Sequence, residues 1–145
     1  MRGRLWLTAI LLVGSSLLRA DVEELKKEPD LIKRFDRSIE LAEAEAKTAN
    51  TLVKENGSRT ELMRALTEIG AATKLALESL RETGKKPAKL TKQYKKGELK
   101  TQAVMRQLKD LVLALGFEDR PAAEKIRDEV TVTHEEFLLG VMTGK

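Results

Sequence analysis

Residues 90–115, "LTKQYKKGELKTQAVMRQLKDLVLAL", decide the fold. Leu90, Tyr94, Gly97, Thr101, Val104, Leu108, Leu111 and Leu115 recur in steps of three and four. An α-helix returns a side chain to the same face at that step, whereas a strand returns it every second residue. The stretch therefore predicts one long helix with a single apolar seam. The same step extends outward in both directions. Leu62, Leu66, Ile69, Thr73, Ala76 and Leu80 form an earlier seam, and Ile32, Phe35, Ile39, Ala42, Ala46, Ala49 and Val53 form the first. Ile126, Val130, Thr133 and Phe137, with Leu138 and Val141 beside them, form the last. No segment alternates with the period of a strand, so the expected class is all-α.

Punctuation between the seams agrees. Pro29 and Pro87 suit first helical turns, and Gly57, Gly84 and Gly116 suit positions just past a helix end. Ser58 and Glu61 have capping-box spacing, and Asp119 before Pro121 marks another start. The connections "NGS", "TGKKP" and "GFED" are short, which predicts antiparallel neighbours and hence an antiparallel up-down-up-down four-helix bundle. Ala42 to Ala49 would let a neighbouring helix approach more closely than Phe35 and Ile39 do, tapering the bundle. Gly97 marks either such a close approach or a late helix start near Glu98. A tetratricopeptide array is the rival, but its repeat of about 34 residues and its signature are not visible.

The chain opens with Arg2 and Arg4, an apolar run from Leu5 to Leu18, and Ala20 before Asp21. That pattern predicts a secretory signal over residues 1–20, cleaved after Ala20, and a single domain over 21–145. The run is shorter than the roughly 20 residues of a spanning helix, although Leu18 leaves retention as an anchor as the alternative. The expected location is periplasmic or secreted. Removing Arg2, Arg4 and Arg19 from the 27 basic residues leaves 24 against 23 acidic ones, so the net charge of +4 belongs mostly to the leader. A general nucleic-acid-binding role loses its electrostatic support. With no cysteine in the chain, stability must come from the core rather than from disulfides. Trp6 falls in the leader, so Phe35, Tyr94, Phe117 and Phe137 are the only other aromatics; stacked-ring pockets for sugars or bases are not expected.

The usual catalytic and cofactor constellations are not recognisable in the sequence. His134 is the single histidine, and position 131 is threonine where a Glu-x-x-His di-metal motif would need glutamate. His134 is expected as an exposed helical residue, with no metal bound. Met63, Met105 and Met142 do not supply the usual haem-bundle ligand in the first helix, and "GVMTGK" at 140–145 lacks the spacing and hydroxyl of a phosphate loop. Asn56-Gly57-Ser58 has the form of a glycosylation sequon, but turn and cap roles account for it. No catalytic residues and no cofactor are expected, and the chain reads as a non-enzyme.

One charged feature stands out. Residues 84–100 hold Lys85, Lys86, Lys89, Lys92, Lys95, Lys96 and Lys100 with only Glu98 against them. Lys89, Lys92, Lys96 and Lys100 follow helical spacing about 200° from the Leu90–Tyr94 seam, which predicts a solvated stripe. Some of these lysines are expected to meet carboxylates of Asp21, Glu23, Glu24, Glu28, Asp30, Glu135 or Glu136 at the same end of the bundle. The others are the candidate contact for an anionic envelope surface or an acidic protein partner.

"LTKQ" at 90–93 resembles, with one residue missing, the Leu-Thr-x-x-Gln motif of small periplasmic helical chaperones. Over "TGKKPAKLTKQYKKGELKTQAVMRQL" and "DRPAAEKIRDEVTVTHEEFLLGVM" the chain resembles short exported bacterial helical proteins of uncharacterised function. The resemblance implies export and a helical fold. The functional expectation is a non-enzymatic interaction protein of the envelope, with a holdase-like chaperone, exposing an apolar groove along the alanine-rich seam, as the alternative.

Overall fold

The computed structural model describes residues 21–144, and every regular element among them is helical. A short α1 (Val22–Leu25) precedes α2 (Leu31–Lys54) and α3 (Arg59–Glu82). A 3-10 turn (Pro87–Lys89) then leads into α4 (Thr91–Ala114) and α5 (Arg120–Thr143). The expected leader and its cleavage point lie outside the described residues. Each long helix has 24 residues, about 36 Å at 1.5 Å per residue. All four seams are buried or half-buried along their length.

Helix ends follow the local chemistry. Asp30 and Ser58 cap α2 and α3, accepting from the Lys33 and Glu61 amides. At the end of α2, Asn56 takes a left-handed backbone (φ 50°), and the Gly57 amide donates back to the Leu52 carbonyl at 2.7 Å. That is a Schellman closure with asparagine in the left-handed position. A Cβ on Gly57 would press on the tip of the Leu52 side chain, which would have to shift. Pro87 opens the 3-10 turn, and α4 begins four residues later.

The order of packing departs from the simple expectation. α2 packs against α3, and α4 against α5, as two hairpins. The hairpins then join through α3 on α5 and α2 on α4, while α3 and α4 barely touch. Helix direction can be read from the pairs. Going up α2 from Arg34 to Glu45, the partners on α3 run backward from Glu82 to Arg64, so these helices are antiparallel. Along α2 and α4, Asp36 meets Lys96 and Glu43 meets Lys100, so these run parallel. The connection Thr83–Leu90 thus crosses a diagonal of the bundle rather than joining neighbours. A short connection reverses chain direction but does not choose which neighbour the next helix takes.

Large side chains concentrate at one end. Phe35 and Ile39 of α2, Leu77 and Leu80 of α3, Leu90 and Tyr94 at the start of α4, and Phe137 of α5 form one buried cluster. Phe137 stands edge-on to both Phe35 and Tyr94, with ring centroids 6.1 and 6.0 Å apart. The remainder of the core is aliphatic, with Ala42, Ala46, Ala49, Ala65, Ala72 and Ala123 among leucines and isoleucines. The helix α1 adds Val22 and Leu25 to it, and the Val22 amide donates to Glu68 Oε2 at 3.1 Å. Periodicity missed α1 because four residues span little more than one turn.

Candidate functional site: the basic end

The seven lysines separate into two groups. Lys96 Nζ lies 2.8 Å from Asp36, Lys100 Nζ 3.0 Å from Glu43, and Lys95 Nζ 2.7 Å from Glu98. The stripe therefore does not face open water along its whole length: Lys96 and Lys100 are half-buried against α2. Helical spacing placed it away from the Leu90–Tyr94 seam, but α4 has two neighbours, and α2 lies on the second side. Lys85, Lys86, Lys89 and Lys92 are exposed and have no carboxylate within ion-pair distance among the described residues.

None of the carboxylates expected to meet these lysines does so. Glu23 and Glu24 pair locally with Lys26 and Lys27, and Glu28 pairs with Arg37. Asp21 and Asp30 cap helices, and Glu136 pairs with Arg81 at 2.6 Å. Glu23, Glu24 and Glu28 take partners within nine residues, which needs less chain ordering than a distant pair, while Glu136 is taken by Arg81 across the α3–α5 contact.

The crossing loop and the start of α4 position the four uncompensated lysines. Gly84 takes φ 71°, a left-handed turn with open space around it, which ends α3 and turns the chain outward. Lys86 and Leu90, at the starts of the 3-10 turn and of α4, make no side-chain cap. The end of α5 packs on this turn, with Gly144 against Ala88. Between them lies a cleft of about 400 Å³ bordered by Lys85, Lys86, Pro87, Tyr94, Leu139 and Gly140. Burial pushes the Tyr94 phenol above its usual value; nearby Arg81 opposes this and Glu136 adds to it.

Two glycines set how closely α4 and α5 approach here. A Cβ on Gly97 would run into the Phe137 ring, and one on Gly140 into the Tyr94 ring. Each helix thus seats its aromatic in the other's glycine notch, and α4 continues through Gly97 without a break. Beside this pair, His134 is half-buried rather than exposed. Its Nδ1 lies 3.1 Å from the Glu98 carbonyl and 2.9 Å from Thr101 Oγ1, which itself donates to the Gly97 carbonyl at 2.7 Å. A proton on Nδ1, donated to the Glu98 carbonyl, satisfies that arrangement. The ring is a clasp between α4 and α5. Among the described residues no group of three histidine, cysteine or acidic side chains gathers as a metal site, and no helix is long and apolar enough to cross a membrane.

A second, longer groove runs between the parallel α3 and α5, about 690 Å³ in volume. Leu77, Ile126 and Val132 give it an apolar lining, and Lys74, Glu78 and Glu129 line its sides. Gly70 keeps it open, because a Cβ there would meet Glu129 and Ile126. The alanine seam from Ala42 to Ala49 is not a groove: Ala42, Ala46 and Ala49 are at most 1% exposed. Sequence reasoning missed the α3–α5 groove because it forms between helices whose adjacency no seam declares.

The fold and site define a class, an all-helical bundle in which four exposed lysines at one end have no carboxylate partner among the described residues. No family model matches the chain, and neither a curated protein nor a solved structure matches it.

Proposed function

We propose that this chain is an exported, non-catalytic interaction protein of the cell envelope: an up-down-up-down four-helix bundle released from a signal peptide over residues 1–20. Its basic end contacts an anionic envelope surface or an acidic protein partner. The observation that carries the reading is the division of the lysines, with Lys95, Lys96 and Lys100 paired to carboxylates and Lys85, Lys86, Lys89 and Lys92 without a carboxylate partner among the described residues. Clustered uncompensated lysines raise the local potential and attract polyanions. No nucleic acid, metal or cofactor enters this reading. The test is retention of the protein on native envelope material at low salt. Charge reversal at Lys85, Lys86, Lys89 and Lys92 abolishes retention if the reading holds, whereas reversal of the paired Lys95 has little effect. Unchanged retention of the fourfold variant removes the site.

A second reading, a holdase-like chaperone, is favoured by the α3–α5 groove rather than by the alanine seam. It predicts that the protein suppresses aggregation of an unfolded client at near-equimolar amounts. Val132→Glu, in the groove lining, would then remove the effect.

A further inference from the structure

The uncompensated lysines do not stand alone at their end of the molecule. Leu139 borders the same cleft as Lys85 and Lys86 and is 54% exposed. Met142, one turn further along the same face of α5, is 62% exposed. Leu139 beside the basic loop, with Met142 one turn further on, leaves two large apolar side chains in water, a combination that a purely charged partner does not explain. A polyanion in water offers Lys85 and Lys86 what they need but leaves Leu139 and Met142 exposed. An anionic bilayer satisfies both groups at once, with phosphates for the ammonium groups and acyl chains for the apolar pair.

The opposite end of the bundle provides an internal comparison. Phe117 is 90% exposed and Leu113 73% exposed, but Phe117 is followed directly by Glu118 and Asp119. Asp119 is paired with Arg59 at 2.6 Å and Arg120 follows it, so that end carries charges of both signs with no cluster of lysines for an anionic leaflet. Apolar exposure thus lies beside a lysine cluster at one end and beside mixed charge at the other, which favours one orientation.

We infer that the Lys85–Lys89 loop and the last turns of α5 form a docking surface for an anionic phospholipid bilayer. Lys85, Lys86 and Lys89 engage headgroup phosphates, and Leu139 and Met142 enter the boundary with the acyl chains. The edge of the surface is Glu135, one turn back from Leu139 on the same face and exposed. The inference rests on the proposed interaction role of the basic end and names its partner.

The test is co-sedimentation of the purified protein, as processed by its host, with vesicles of phosphatidylcholine alone or of phosphatidylcholine and phosphatidylglycerol in equal parts. Expected is binding to the phosphatidylglycerol vesicles only, weakened by salt. K85E/K86E/K89E lowers the partition coefficient by about tenfold or more, the order expected for lysines near an anionic leaflet. L139S/M142S lowers it several-fold at unchanged charge, E135K raises it, and F117S leaves it unaltered. Circular dichroism and urea midpoints of each variant separate lost binding from lost folding. Full vesicle binding by L139S/M142S, or equal binding to both vesicle types, overturns the lipid inference. A sulfated-polymer resin distinguishes the two levels: retention on the resin without vesicle binding leaves the anionic-contact role standing and sinks only the bilayer. Loss of both sinks the two together.

Discussion

The two hairpins bring their helices together by different means. In the α2–α3 hairpin, Ala42, Ala46 and Ala49 share a core with Ala65 and Ala72, so small side chains permit the approach. Arginines clamp its flanks. Arg34, only 8% exposed, donates to Ser79 Oγ at 2.7 Å and reaches Glu82 at 2.7 Å, while Arg64 holds the buried Glu45 at 2.9 Å. The Arg64 guanidinium is desolvated, which disfavours its charge, but the bonds and charges of Glu45 and Glu61 outweigh this and raise its pKa. The α4–α5 hairpin instead interlocks large with absent side chains: Tyr94 over Gly140 and Phe137 over Gly97. Alanine packing tolerates small displacements. An aromatic in a glycine notch does not, because the fit is set by one Cβ on each side.

Substitutions can break this contrast. The largest effect is expected for Phe137→Ala, which empties the centre of the aromatic cluster and should cost about 3–5 kcal/mol in urea unfolding. Gly97→Ala comes next, with a loss of about 1–3 kcal/mol from overpacking against the ring. In the combination Gly97→Ala with Phe137→Leu the two losses should be clearly non-additive, because removal of the ring relieves the clash; strict additivity would count against the notch. Arg64→Ala removes the guanidinium 2.9 Å from Glu45 in a 3% exposed site, and a loss of about 1–3 kcal/mol is expected from the lost charge-assisted bond.

Titration separates the hairpins more finely. The Tyr94 phenol is raised above its usual 10.0 by burial first, with Arg81 opposing and Glu136 reinforcing. The folded state therefore favours the neutral phenol. Its contribution to stability is fully present below pH 10 and is lost as pH rises through the elevated folded value. A urea midpoint that falls above pH 10 in the parent and falls less in Tyr94→Phe would check this. The smallest expected effect is Lys86→Glu, within about 0.5 kcal/mol of the parent's stability, since the residue is exposed and unpaired. A large change there would mean that the loop carries the fold rather than a contact.

Much of the core was legible before any coordinates. Every residue of the second and third seams is buried, from Leu62 to Leu80 and from Leu90 to Leu115, because a 3.6-residue period constrains which face turns inward. The Ser58 cap and the helix end before Gly57 were equally readable, since both depend on neighbours within one or two turns. Less legible were His134, which bonds across to α4, and Arg34, whose partners lie 45 or more residues away. The four lysines without a described partner were named among seven; Glu98, three residues on, marks Lys95 locally, but nothing local distinguished Lys96 and Lys100, whose partners lie on α2.

The amino-acid sequence by itself determined that the described chain is helical, where α2 ends and α3 begins, and which side of each long helix turns inward; Pro29, expected in a first turn, precedes the Asp30 cap instead. These are consequences of contacts within a few residues, and each helix states them independently. Only the tertiary structure decided that α3 neighbours α5 rather than α4, and that Lys96 meets Asp36, 60 positions away. A seam says that a face must leave water without saying against what, because burial is non-directional. The pairing of charges then follows from the neighbour chosen, and with it which of the seven lysines stay open to solvent.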